Sequence, residues 1–118
     1  MTVQECYEAF GGNYQDVINR LRADDRVVRF LMRVVDDGSY KLLVDSVASG
    51  NADEAFRAAH TLKGVCGNLS ITKLGESASE LTEVLRDNRV INDSLLPLLE
   101  RVKRDYELTI DCIKKLSI

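Results

Sequence analysis

Apolar residues recur at three- and four-residue intervals along nearly the whole chain, and Pro97 is the only proline. A strand facing a core alternates with a period of two, whereas a helix repeats near 3.6 residues. β-Branched alternation is nearly absent, and the few glycines fall mostly between periodic stretches. The pattern predicts an all-α chain.

Its punctuation gives the order of helices. A short segment from Val3 to Phe10 ends at Gly11-Gly12, and a second runs from Asn13 to about Arg20. From about Asp25 to Val35, Val27, Phe30, Leu31 and Val34 keep helical spacing. Asp37-Gly38-Ser39 interrupts the pattern, which resumes from Tyr40 to Ala48 through Leu43, Val44 and Val47. Either one kinked helix or two helices fit. Gly50 is a C-terminal stop, and Asn51 followed by Glu54 fits a reciprocal capping box. A long helix is expected from Ala52 to about Asn68. Another, from Ser70 to Arg86, carries Ile71, Leu74, Ala78, Leu81 and Leu85. The last begins near Asp93 or Ser94, because Pro97 is tolerated in a first turn. Its apolar seam runs through Leu95, Leu99, Val102, Tyr106, Ile110 and Ile113. The expected architecture is one domain, an antiparallel four-helix bundle over residues 24–116, with short helices in residues 1–22 across one end.

Composition narrows the function. The 118 residues suffice for one domain, with 45% hydrophobic and 30% charged residues. A net charge of -3 does not supply the positive field of a nucleic-acid binder. No apolar run approaches membrane-spanning length, and the first residues lack a secretory pattern, so the cytoplasm is the expected location. Cys6, Cys66 and Cys112 are far apart in sequence and form no metal-binding pattern; they read as reduced thiols, and no metal site is expected.

His60 is the only histidine. On a wheel of about 100° per residue, Ala55, Ala58, Leu62, Cys66 and Leu69 form the core face of its helix. His60 falls on the opposite side, with Asp53, Phe56, Arg57, Lys63, Gly64 and Gly67. Glycine inside a helix costs about 0.8–1 kcal/mol relative to alanine, so an ordinary solvated face would not carry two. Beside an outward imidazole, they leave space for another protein to approach. Lys63, one turn away, can offset negative charge held at the ring. An exposed Phe56 is a candidate partner contact.

The stretch Ala59-His60-Thr61-Leu62-Lys63-Gly64-Val65-Cys66-Gly67-Asn68-Leu69 resembles the signature of histidine-containing phosphotransfer domains. That pattern is a histidine, two residues, then lysine and glycine, with a small residue three positions later. The resemblance extends over the bundle helices from about Asp25 to Ile113 and is weakest in the first two segments. Ser70 departs from it, standing where many members have glycine. The resemblance implies that His60 accepts a phosphoryl group from a receiver-domain aspartate and passes it to another receiver. It implies Lys63 as the charge-stabilising residue, and Phe56, Arg57, Gly64 and Gly67 as the partner-binding face. A free neutral imidazole is a good nucleophile, and histidine ordinarily titrates near 6.5. No nucleotide loop or second acid–base residue is visible, so the chain reads as a phosphocarrier without kinase activity. It needs no cofactor of its own, and Mg2+ is expected from the receiver. The implied partners are response-regulator receivers and a hybrid sensor histidine kinase, with the chain itself a monomer.

Two other readings compete. A histidine-kinase dimerisation domain also presents a histidine on a helical hairpin, but usually with an acidic residue directly after it and a proline soon after. Here Thr61 follows, and no proline occurs before Pro97. The other is a helical interaction module with an inert His60. Metal or haem binding through a single histidine is poor coordination chemistry.

Overall fold

The computed structural model describes residues 1–116. Among these, every regular element is helical: α1 (Val3–Phe10), α2 (Tyr14–Leu21), α3 (Asp24–Asp36), α4 (Ser39–Ser49), α5 (Ala52–Leu69), α6 (Thr72–Asp87) and α7 (Leu96–Lys114), with a 3-10 turn at Asp93–Leu95 leading into α7. The all-α bundle expected from the periodicity is what forms.

The interruption at Asp37-Gly38-Ser39 separates two helices. Asp37 turns extended, at φ -70° and ψ 128°, and Gly38 sits at φ -85° and ψ 1°. The Asp37 carboxylate accepts from the Ser39 backbone N–H at 2.9 Å, which fixes the corner. Gly50, at φ 75°, closes α4 in the left-handed conformation that glycine adopts without steric penalty. Only half of the expected capping box forms at α5. The Asn51 side chain accepts from Glu54 N–H at 3.1 Å, but the Asn51 N–H donates to Ser46 O, and Glu54 pairs with Arg57 instead. The complete box lies at α1, between Thr2 and Glu5. Pro97 lies in the first turn of α7, where its missing N–H leaves no intrahelical bond unmade.

Helix α5 is the centre of the molecule, packed between α4 and α6, with α7 against α6. Its core face is the one the wheel assigns: Ala55, Ala58, Leu62, Cys66 and Leu69 are buried, joined by Ala59. Small residues bring α5 and α6 close together. A Cβ added at Gly75 of α6 would stand 3.2 Å from Cys66 Cβ.

The seam of α7 is rotated from the expected one. Leu95, Val102 and Ile113 are buried, but Leu99, Tyr106 and Ile110 are only half-buried. Asp105, Thr109 and Cys112 take the inner positions. Tyr106 moves to the edge to stack on Tyr40 of α4, with ring centroids 3.9 Å apart and planes within 8°. Phe30, expected in the core, is exposed on α3.

The short helices α1 and α2 clamp the turn between α5 and α6. Tyr7 Oη donates to Leu69 O at 2.7 Å, Asn13 N–H to Ser70 O at 2.9 Å, and Lys73 N–H to Gly11 O at 3.0 Å. The α6 helix starts at Thr72, two residues later than the periodicity predicts, because Ser70 caps α5 in the left-handed region at φ 55°.

Candidate functional site

His60 projects from the middle of α5 into solvent. Among the described residues its ring nitrogens have no hydrogen-bond partner; the ring stacks on Phe56 one turn earlier, with centroids 5.9 Å apart and planes within 9°. The imidazole is therefore oriented but chemically free.

The ground beside it is open. A Cβ built on Gly64 or Gly67 meets nothing within 4 Å. Neither glycine has the positive φ that would demand it, and both stand within a regular helix. Gly12 offers the contrast, since a Cβ there would stand 2.5 Å from Tyr7 and 2.6 Å from Phe10. Packing inside the molecule explains Gly12 and Gly75, but it does not explain Gly64 or Gly67.

Lys63 lies at the edge of this open ground, half-buried, with Nζ 3.8 Å from Glu83 of α6. Arg86 Nε approaches the other oxygen of Glu83 at 3.4 Å. Phe56 is half-buried rather than exposed as the wheel implies. The cover comes from Arg86 and Arg89, whose guanidinium carbons lie 5.1 Å and 4.0 Å from the ring centroid. Arg89, in the connection after α6, also reaches Asp53 of α5 at 2.7 Å. The site thus contains three residues that the sequence pattern around His60 did not bring forward: Glu83, Arg86 and Arg89. The Glu83/Arg86 spacing is a visible helical ion-pair signal, but nothing local shows that it faces α5. Arg57 stands apart from this cluster. It is exposed and pairs with Glu54 at 2.7 Å, which holds its guanidinium above the ordinary value.

The Hpt domain family matches residues 27–109, from the first turn of α3 to well into α7 and including every residue around His60. The chain belongs to the Hpt domain family. Hpt domains are helical bundles that serve phosphotransfer in two-component systems, so receivers and kinases of such systems are the general class of partner for this one. No curated protein and no solved structure gives a significant match.

Two clefts open along this Hpt domain's α5 beyond the histidine. One, of about 400 Å3 between α5, α6 and the start of α2, is lined by Lys63, Gly67, Ser70, Glu76 and Asp16. The position where many members carry glycine is used here as a polar staple. Ser70 Oγ donates to Asp16 Oδ2 at 2.6 Å and accepts from Arg20, while Arg20 also donates to Gly67 O at 3.2 Å. The Ser70 hydroxyl, followed by the Arg20 guanidinium, holds the Asp16 carboxyl below its ordinary value. An apolar cleft of about 410 Å3, floored by Leu21, Val34, Val65 and Leu69, opens beside the exposed Phe30.

Among the described residues no cluster of three or more His, Cys, Asp or Glu side chains could hold a metal ion. No helix among them is long and apolar enough to cross a membrane. Cys6, Cys66 and Cys112 are free and buried. Burial pushes the Cys6 and Cys66 thiols up to about 12 and raises that of Cys112.

Proposed function

We propose that this Hpt domain is a phosphocarrier in which His60 takes a phosphoryl group from a receiver-domain aspartate and passes it to a second receiver. The observation that carries the reading is the outward, unpartnered imidazole beside two helical glycines whose small size serves no internal contact. Smallness without an internal use fits a surface on which another protein's loops must come within bonding distance of the ring.

The transfer needs little from this chain. The lone pair of the ring nitrogen remote from the backbone forms the P–N bond. The acyl-phosphate P–O bond breaks, and its electron pair returns to the aspartate carboxylate. Negative charge persists on the phosphoryl oxygens throughout, and Lys63 offsets it electrostatically from one turn away. Lys63 is held loosely, 3.8 Å from an exposed Glu83. Exposed pairs of this kind contribute little stability, so the ammonium can turn to a new anion at small cost. The receiver supplies Mg2+ and the remaining catalytic groups. A receiver and a hybrid sensor histidine kinase are the partners this role requires.

Parallel incubations test the proposal. With a phosphorylated receiver the protein is expected to take up label, and with ATP alone it is expected to take up none. Labelling from ATP would favour a kinase dimerisation domain, and no labelling from any phosphorylated receiver would favour an inert interaction module.

A further inference from the structure

The connection between α6 and α7 brings a cation to the histidine face. Arg89 lies in that non-helical stretch, so its backbone is not locked into a helix. Its guanidinium carbon is 4.0 Å from the centre of the Phe56 ring, and the His60 ring is 5.9 Å from the same centre. The guanidinium carbon and the imidazole centre are thus no more than about 10 Å apart. A phosphoryl group on the remote ring nitrogen would occupy several ångströms of any such gap. Arginine's long, jointed side chain covers the remainder by changing rotamer.

In the resting protein Arg89 is held by Asp53 at 2.7 Å, in a pair whose side chains are 42% and 68% exposed. Such a pair is weak. A phosphoryl dianion is the stronger competitor, because guanidinium binds phosphate in a bidentate, charge-assisted manner. The charges facing the site are Lys63, Arg86 and Arg89 against Glu83 and Asp53, and Lys63 and Arg86 share Glu83 at 3.8 Å and 3.4 Å. Asp53, on the same face of α5, would repel a phosphoryl group at His60, and Arg89 neutralises it.

We propose that Arg89 is a second phosphoryl-holding cation, resting on Phe56 and Asp53 until His60 is phosphorylated and then exchanging the Asp53 carboxylate for the phosphoryl oxygens. This rests on the phosphocarrier role of His60. Phe56 is then the platform that keeps imidazole and guanidinium on a common surface, and the 88–92 connection is a strap that positions a charge.

The test is a 31P NMR titration of the full chain loaded at His60 from phosphoramidate, following protonation of the phosphohistidine near neutral pH. A nearby cation opposes proton uptake and lowers the midpoint. Arg89→Ala is expected to raise it by ~0.3–0.5 pH units, and Asp53→Asn to lower it. Arg89→Lys, which keeps the charge, is expected to stay near wild type, as is Lys41→Ala on α4. A phosphohistidine resonance whose midpoint is the same in Arg89→Ala and Lys41→Ala overturns this inference alone. No phosphohistidine resonance in the wild-type protein, from phosphoramidate or from a phosphorylated receiver, overturns the phosphocarrier reading with it.

Discussion

Gly64 occupies a helix-interior position where alanine would be better by roughly 0.8–1 kcal/mol, and no neighbour lies within 4 Å of the Cβ it lacks. The fold alone would favour Gly64→Ala. That substitution is expected to raise the melting temperature, with a gain of about 0.5–1 kcal/mol at neutral pH, while slowing phosphoryl uptake from a receiver. A faster or unchanged transfer in the stabilised variant would show that no partner needs the space. Ser70 makes the opposite bargain. It accepts a left-handed conformation at φ 55° in order to tie α2 to the end of α5 through Asp16 and Arg20. Because Ser70 first, and Arg20 next, hold the Asp16 carboxyl below its ordinary 3.8, this link is fully present above that value and fades as the pH falls through the lower folded value. Ser70→Ala is expected to lower the melting temperature at pH 7 and to flatten its further decline in acid. Melting curves between pH 7 and pH 2 check both. The position of His60 and its glycines was legible in the sequence, because an outward residue is defined by the buried ones around the same wheel. Glu83, Arg86 and Arg89 were not, nor was the half-burial of Phe56, because a lone aromatic does not reveal which distant cations will cover it.

At the scale of elements, α5 was read correctly because its buried residues are all apolar or small and its exposed ones are all polar, glycine or histidine. Leu62→Ala removes a side chain that is 1% exposed at the centre of that inner face. It is expected to cost about 2–5 kcal/mol. A denaturation midpoint equal to wild type would contradict the packing described. The α7 seam was misjudged because inner places are occupied by polar residues. Asp105, 2% exposed, sits there with Lys73 Nζ at 3.7 Å, and Thr109 turns its hydroxyl back to Asp105 O at 2.7 Å. Period arguments assign charged residues to water, so a buried aspartate shifts the inferred stripe. The start of α6 was misplaced for a similar reason. Ile71 continues the apolar rhythm, but with Ser70 it forms the turn that α1 and α2 hold in place. These two helices lie before the family match at residue 27, yet Tyr7 and Asn13 bond directly to the turn that ends the histidine helix.

For the whole molecule, the division of labour is between a closed core and an open face. All three thiols lie in the core, two of them pushed up to about 12. Buried, protonated thiols are inert. A thiol reagent is therefore expected to modify the native protein only as fast as the bundle opens, with all three sites reacting together in denaturant. Rapid stoichiometric labelling of one cysteine in the native state would show a looser bundle than the structure has. On the outer face of α5 the chain exposes a single imidazole, stacked on Phe56, over which Arg86 and Arg89 also lie.

That surface is tested most directly by where phosphate ends up. After mixing with a phosphorylated receiver, the label on the chain is expected to be acid-labile and base-stable, to map to His60, and to vanish in His60→Gln while the melting curve of that variant stays close to wild type. Equal labelling in the folded His60→Gln variant, or label mapping to any other residue, would contradict the account.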